Sequence, residues 1–175
     1  MFITLMATIF AGFAGAGMVM LFRIALKDRI PGWATPLAAG GAMIAATIAS
    51  EYSWYDGTVA SLPAEFEIAA TRENQAPYRP WTYLRPFTDG FIAVDQGSIR
   101  TNDAVPGTRL VNLYIYGRFS AITEVPVLFD CDDSQRADII DGVEFDLDGI
   151  PLDVVWRDVD MTDPMLRATC DVDVG

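Results

Sequence analysis

The first 22 residues carry no charged side chain, and this run constrains everything after it. A bilayer's hydrocarbon core takes about 20 apolar residues in a helix to cross, so residues 1–22 are expected to form a membrane span. A second run, residues 33–53, is expected to return as another span, although its Ala and Gly gain little from lipid and it must lean on the first. Small residues recur at four-residue spacing in both runs, and such stripes let helix backbones approach closely. Gly12 and Ala16 on one run, and Ala38, Ala42 and Ala46 on the other, are therefore the expected packing residues of an antiparallel transmembrane αα-hairpin. The same stripes would also fit a larger membrane partner.

Orientation follows from the loop at residues 23–32, where Arg23, Lys27 and Arg29 stand against Asp28 alone. The positive-inside rule makes such a loop cytoplasmic, which puts the N-terminus and the long C-terminal part outside. Trp33 at one boundary and Tyr52, Trp54 and Tyr55 at the other agree, because amphipathic rings favour the headgroup layer. The expected organisation is thus a two-helix anchor over residues 1–55 and an extracytoplasmic domain over 56–175.

The whole chain holds 12 basic and 24 acidic residues, and beyond the loop nine basic against 23 acidic remain, with no Lys and no His. A surface of that sign repels nucleic acid and attracts cationic proteins over a Debye length of about 8 Å. Cys131 and Cys170, the only cysteines, lie on the side expected to be oxidising and are expected to form one intramolecular disulfide. Their spacing matches no zinc site, redox pair or haem attachment.

The most distinctive exterior stretch is residues 76–87, Ala-Pro-Tyr-Arg-Pro-Trp-Thr-Tyr-Leu-Arg-Pro-Phe. Its three prolines push the residues before them toward extended conformation and argue against any helix. Tyr78, Arg79, Trp81, Tyr83, Arg85 and Phe87 are candidates for a partner or membrane interface, because Trp, Tyr and Arg are the usual anchors there. The competing reading has these rings cover one end of the domain's own core. After this stretch the pattern has period two. Residues 91–100 read as a strand with a bulge at Gly97, and residues 110–116 as a strand with Val111, Leu113 and Ile115 on one face. Residues 124–131 alternate likewise, directing Cys131 into the core, and Pro126 points to a sheet edge.

Asp148-Gly149 predicts a type I′ hairpin over residues 143–156, with Val143, Phe145 and Leu147 facing Val154, Leu152 and Ile150. Its other face sets Glu144, Asp146 and Asp153 together, where like charges across strands call for neutralisation; calcium is the candidate ion. A short C-terminal helix starts with Asp163 as cap and Pro164 in its first turn, running toward Cys170. The expected exterior fold is mainly antiparallel β, a sandwich or a small barrel.

The chain resembles small bacterial inner-membrane proteins with two N-terminal spans. The resemblance rests on Ser50-Glu51-Tyr52-Ser53-Trp54, on Pro80-Trp81-Thr82-Tyr83-Leu84 and on the two late cysteines. It implies an inner-membrane protein with a periplasmic domain and transfers no site.

Catalysis is not expected. Without His the commonest general base and metal ligand is missing, and neither a Gly-x-Ser-x-Gly elbow nor a phosphate-binding Gly loop occurs. No cofactor is expected. The function read from these features is an accessory or assembly subunit of an integral membrane complex, respiratory or electron-transferring, with lipid around the helices. Its acidic domain would then lie beside a cationic protein such as a c-type cytochrome. The alternative is a stand-alone envelope module that binds a ligand or cation through Glu144, Asp146 and Asp153.

Overall fold

The structure is a computed structural model that describes residues 2–26, 29–139, 143, 146, 151–152 and 154–172. The chain divides into two compact units between residues 58 and 59.

The first unit consists of helix α1, Phe2–Ala25, and helix α2, Ala34–Val59. They meet where side chains are smallest. A Cβ placed on Gly15 would lie 2.8 Å from the Ala42 Cβ and 2.9 Å from the Ala38 carbonyl oxygen, so only glycine admits this approach. Gly12, one turn earlier, is buried beside the flexible tip of Met43. The hydroxyls of Thr8 and Thr47 donate to the carbonyls of Thr4 and Met43, which keeps them satisfied within their own helices. The outer face of α1 is apolar and exposed at Phe2, Ile3, Phe10, Phe13 and Leu21.

Among the described helices, α1 alone is long and apolar enough to cross a membrane. This corrects the expectation of two spans. The second run does form a helix, but one rich in Ala, Gly and Thr that continues through Glu51 and Asp56 to Val59, and it does not reach the hydropathy of a span. Tyr52, Trp54 and Tyr55, expected just beyond the second run, lie within α2. The multi-pass inner-membrane topology falls with the second span. A single crossing leaves the loop and the C-terminal unit on one side, so the loop's cations no longer place that unit in the periplasm. Lys27 and Asp28 of that loop lie outside the described residues.

The second unit is built on one antiparallel sheet. Its strands are β1 Phe66–Asn74, β2 Phe87–Thr101, β3 Thr108–Gly117, β4 Thr123–Asp130, β5 Gln135–Asp138 and β6 Arg157–Asp158. Each pairs with the next in chain order, and the sheet curls into an open half-barrel. The expected sandwich or small barrel is therefore replaced by a single open, curled layer. Helix α3, Pro164–Cys170, fills the place a second sheet would take.

The core lies between α3 and the face of the sheet it covers. Val94, Val111, Leu113, Val127 and Phe129 point to that face by the period-two rule and meet Leu166 and Ala168 of α3. The Asp163 carboxylate accepts hydrogen bonds from the backbone of Met165 and Leu166, capping α3, and Pro164 begins its first turn. The Cys131–Cys170 disulfide fastens the last residue of α3 to the end of β4.

Gly97 lies in a bulge between Asp95 and Arg100, where the β2–β3 register shifts. Ser98 repairs the interrupted ladder. Its hydroxyl accepts from the Asn112 amide at 3.0 Å. The same hydroxyl donates to the Asp95 carbonyl at 2.8 Å. Strand β4 is interior and not an edge, which corrects the reading of Pro126. The proline is tolerated because its carbonyl, and hence its missing N–H, faces the β5 side, where the last contact is the Ile139 amide at 3.0 Å. The hairpin expected over residues 143–156 falls largely outside the described residues.

Candidate functional site

Residues 75–86 join β1 to β2 and form the most sharply defined surface feature of the second unit. The prolines did not exclude helix here: Pro80–Tyr83 forms a single 3-10 turn, with Pro80 at its start where no N–H is required. Thr82 pins it. Its side chain is fully buried, and its hydroxyl accepts from the Ala76 amide at 3.1 Å and donates to the Arg79 carbonyl at 2.7 Å. Two backbone bonds close the turn around it, Arg79 amide to Ala76 carbonyl and Thr82 amide to Arg79 carbonyl, both at 2.9 Å.

This pinned turn raises three side chains out of the lobe, Tyr78 at 76% exposure, Tyr83 at 58% and Leu84 at 91%. The Arg79 guanidinium carbon lies 5.2 Å from the Tyr78 ring centre. It lies 5.4 Å from the ring centre of Phe87, which puts both rings within cation–π range. Arg85 is exposed beside Leu84. Trp81 is half-buried, and its indole nitrogen is buried without a hydrogen-bond partner among the described residues.

The six candidates thus separate. Tyr78, Tyr83 and Arg85 are presented outward, Arg79 braces the tip, Trp81 turns partly inward, and Phe87 belongs to the buried core at the start of β2. Leu84 carries neither ring nor charge to mark it in the sequence; its place between Tyr83 and Arg85 is the available signal. In the helical unit Gly12 lies in the contact, with Ala38 and Ala42, but Gly15 is the residue that meets the backbone of α2, where a four-residue stripe named Ala16.

On the face of the sheet away from α3 the rings of Phe91 and Tyr116 stack at 4.7 Å, and those of Phe66 and Tyr114 tilt at 5.2 Å. Desolvation pushes both tyrosine hydroxyls up from their ordinary values, with further push from Glu124 and Asp95 on Tyr114 and from Asp95 on Tyr116. Both therefore remain protonated at neutral pH, donors of hydrogen bonds rather than activated bases. Of the expected calcium ligands, Glu144 and Asp153 lie outside the described residues, which include Asp146. No group of three or more potential ligands that could hold a metal ion occurs among the described residues.

Comparison with protein-family models, with curated proteins and with solved structures finds no match to this chain. The expected likeness to two-span inner-membrane proteins is accordingly corrected: no family answers to it, and among the described helices one and not two is apolar and long enough to span a membrane.

Proposed function

We propose that the protein is a non-catalytic accessory subunit of a larger membrane complex, attached through α1 and docked through the tip at residues 78–85. The tip carries the reading. Tyr and Arg are enriched where protein partners bind most strongly, and a turn already held by Thr82 loses little conformational freedom on docking. The exposed apolar surface of α1, long enough for a bilayer, supports attachment.

The test is photocrosslinking in cells with benzoylphenylalanine at position 84, and at the exposed Met161 as control. One adduct of a single discrete mass is expected from position 84 and none from 161. The same partner should co-purify stoichiometrically in mild detergent and be lost from a Tyr78→Ala, Tyr83→Ala double variant. Recovery of the chain as a lone monomer in every detergent, with no discrete adduct at position 84, would overturn the proposal.

A further inference from the structure

A cavity of about 160 Å³ opens on the face of the sheet that α3 leaves uncovered. Its floor follows directly from strand register. Arg100 of β2 lies opposite Leu110 of β3, which lies opposite Leu128 of β4, which lies opposite Ala137 of β5. One row of side chains therefore crosses four strands on one face, while its neighbours Val111 and Val127 turn to the core. Val105, Ile139 and Trp156 complete the apolar wall, and Arg100 is the single charged group of the lining among the described residues. Arg100 is exposed at one end of the row, and Leu110 and Leu128 are half-buried behind it, so the site runs from an apolar floor to a cationic mouth.

We propose that this cavity binds a small aromatic or similarly compact apolar monocarboxylate, its apolar body on Leu110 and Leu128 and its carboxylate on the Arg100 guanidinium. Size sets the class, because an apolar cavity on the order of 150 Å³ accommodates a guest the size of benzene. Charge sets the orientation. A guanidinium matches a carboxylate with two parallel hydrogen bonds, a geometry that neither a neutral amide nor an ammonium reproduces. The acidic character of the chain opposes an approaching anion only over the screening distance of about 8 Å. At contact the Arg100 group is the one charge in the lining among the described residues.

The experiment is calorimetric titration of the full chain in phosphatidylcholine nanodiscs with three probes of equal size: phenylacetate, phenylacetamide and phenethylammonium. Saturable binding of one phenylacetate per chain is expected, with an affinity about tenfold above either comparator, the discrimination a charge-assisted pair supplies. Arg100→Gln should abolish that preference, and Val105→Phe, which fills the cavity from its loop, should abolish binding. Equal binding of the three probes, preference for phenethylammonium, or no saturable heat would each overturn the proposal. The three-probe comparison uses the unaltered chain, so it decides the matter even where a variant fails to fold.

Discussion

Arg109 holds the end of α3 in place: its guanidinium crosses from β3 to donate to the Thr169 carbonyl at 2.8 Å and, with the same nitrogen, to the Val172 carbonyl at 2.6 Å. The first is a carbonyl that a helix leaves without a partner at its C-terminus, where a cation is also favoured by the helix dipole, and the second lies two residues past the helix end. Replacing Arg109 with Met keeps the aliphatic stem and removes both bonds. The expected loss is about 2 kcal/mol of stability, read from denaturant midpoints at unchanged slope.

The disulfide is the second tie on that helix, linking residues 39 apart in sequence. Cross-linking a loop of this length removes unfolded-state entropy worth about 4 kcal/mol in the chain-entropy model. The Cys131→Ser, Cys170→Ser double variant should therefore unfold at markedly lower denaturant. Adding a reductant should destabilise the parent chain by a similar amount and leave the double variant unchanged.

Acid sensitivity should trace in part to Asp89. Burial pushes its carboxyl up, but the hydrogen bonds from Arg72 and Asn74, together with the Arg72 charge, outweigh this and hold it below the usual value. The Arg72 bond measures 2.8 Å and the Asn74 bond 2.7 Å. A depressed folded pKa contributes stability above the unfolded value of about 3.9, lost as the pH falls through the folded value. Stability curves of parent and Asp89→Asn should therefore converge as the pH drops below about 4, the parent being the more stable at neutral pH. Curves that stay parallel down to about pH 2 would refute the assignment.

The two glycines of the helical pair should respond differently to a methyl group. At Gly12 a Cβ meets the end of the Met43 side chain, which can swing away, whereas at Gly15 it meets Ala42 and the Ala38 backbone. Gly12→Ala is expected to be nearly neutral. Gly15→Ala should force the helices apart at a cost of about 1–3 kcal/mol, seen as a longer α1–α2 spin-label distance in nanodiscs.

The sheet was legible wherever alternation ran unbroken. Val111 and Leu113, or Val127 and Phe129, announce an inward face by themselves, and Asp163-Pro164 announces the start of α3. The bulge at Gly97 was visible too, but not its repair by Ser98, since that depends on where Asn112 lies in the next strand. Two misreadings share a cause. The proline-rich stretch was judged residue by residue, so the turn created by Thr82 bonding to Ala76 and Arg79 could not be foreseen. The second helix counts as apolar by its Ala-rich run, yet its Gly, Thr, Pro and Ser residues together with Glu51 keep it short of a span. The cavity floor of Arg100, Leu110 and Leu128 is invisible for a similar reason: it exists only once the register of three strands is known.

Because the strands pair strictly in chain order, each hairpin of the lobe can zip as it leaves the ribosome, with little loop closure to wait for. The apolar trough they create stays uncovered until residues 164–170, the last of these elements to be synthesised, arrive to line it. Nascent or truncated forms ending before α3 would thus be sticky half-shells, the natural clients of a chaperone, and the seven-residue helix is the clasp that shuts them.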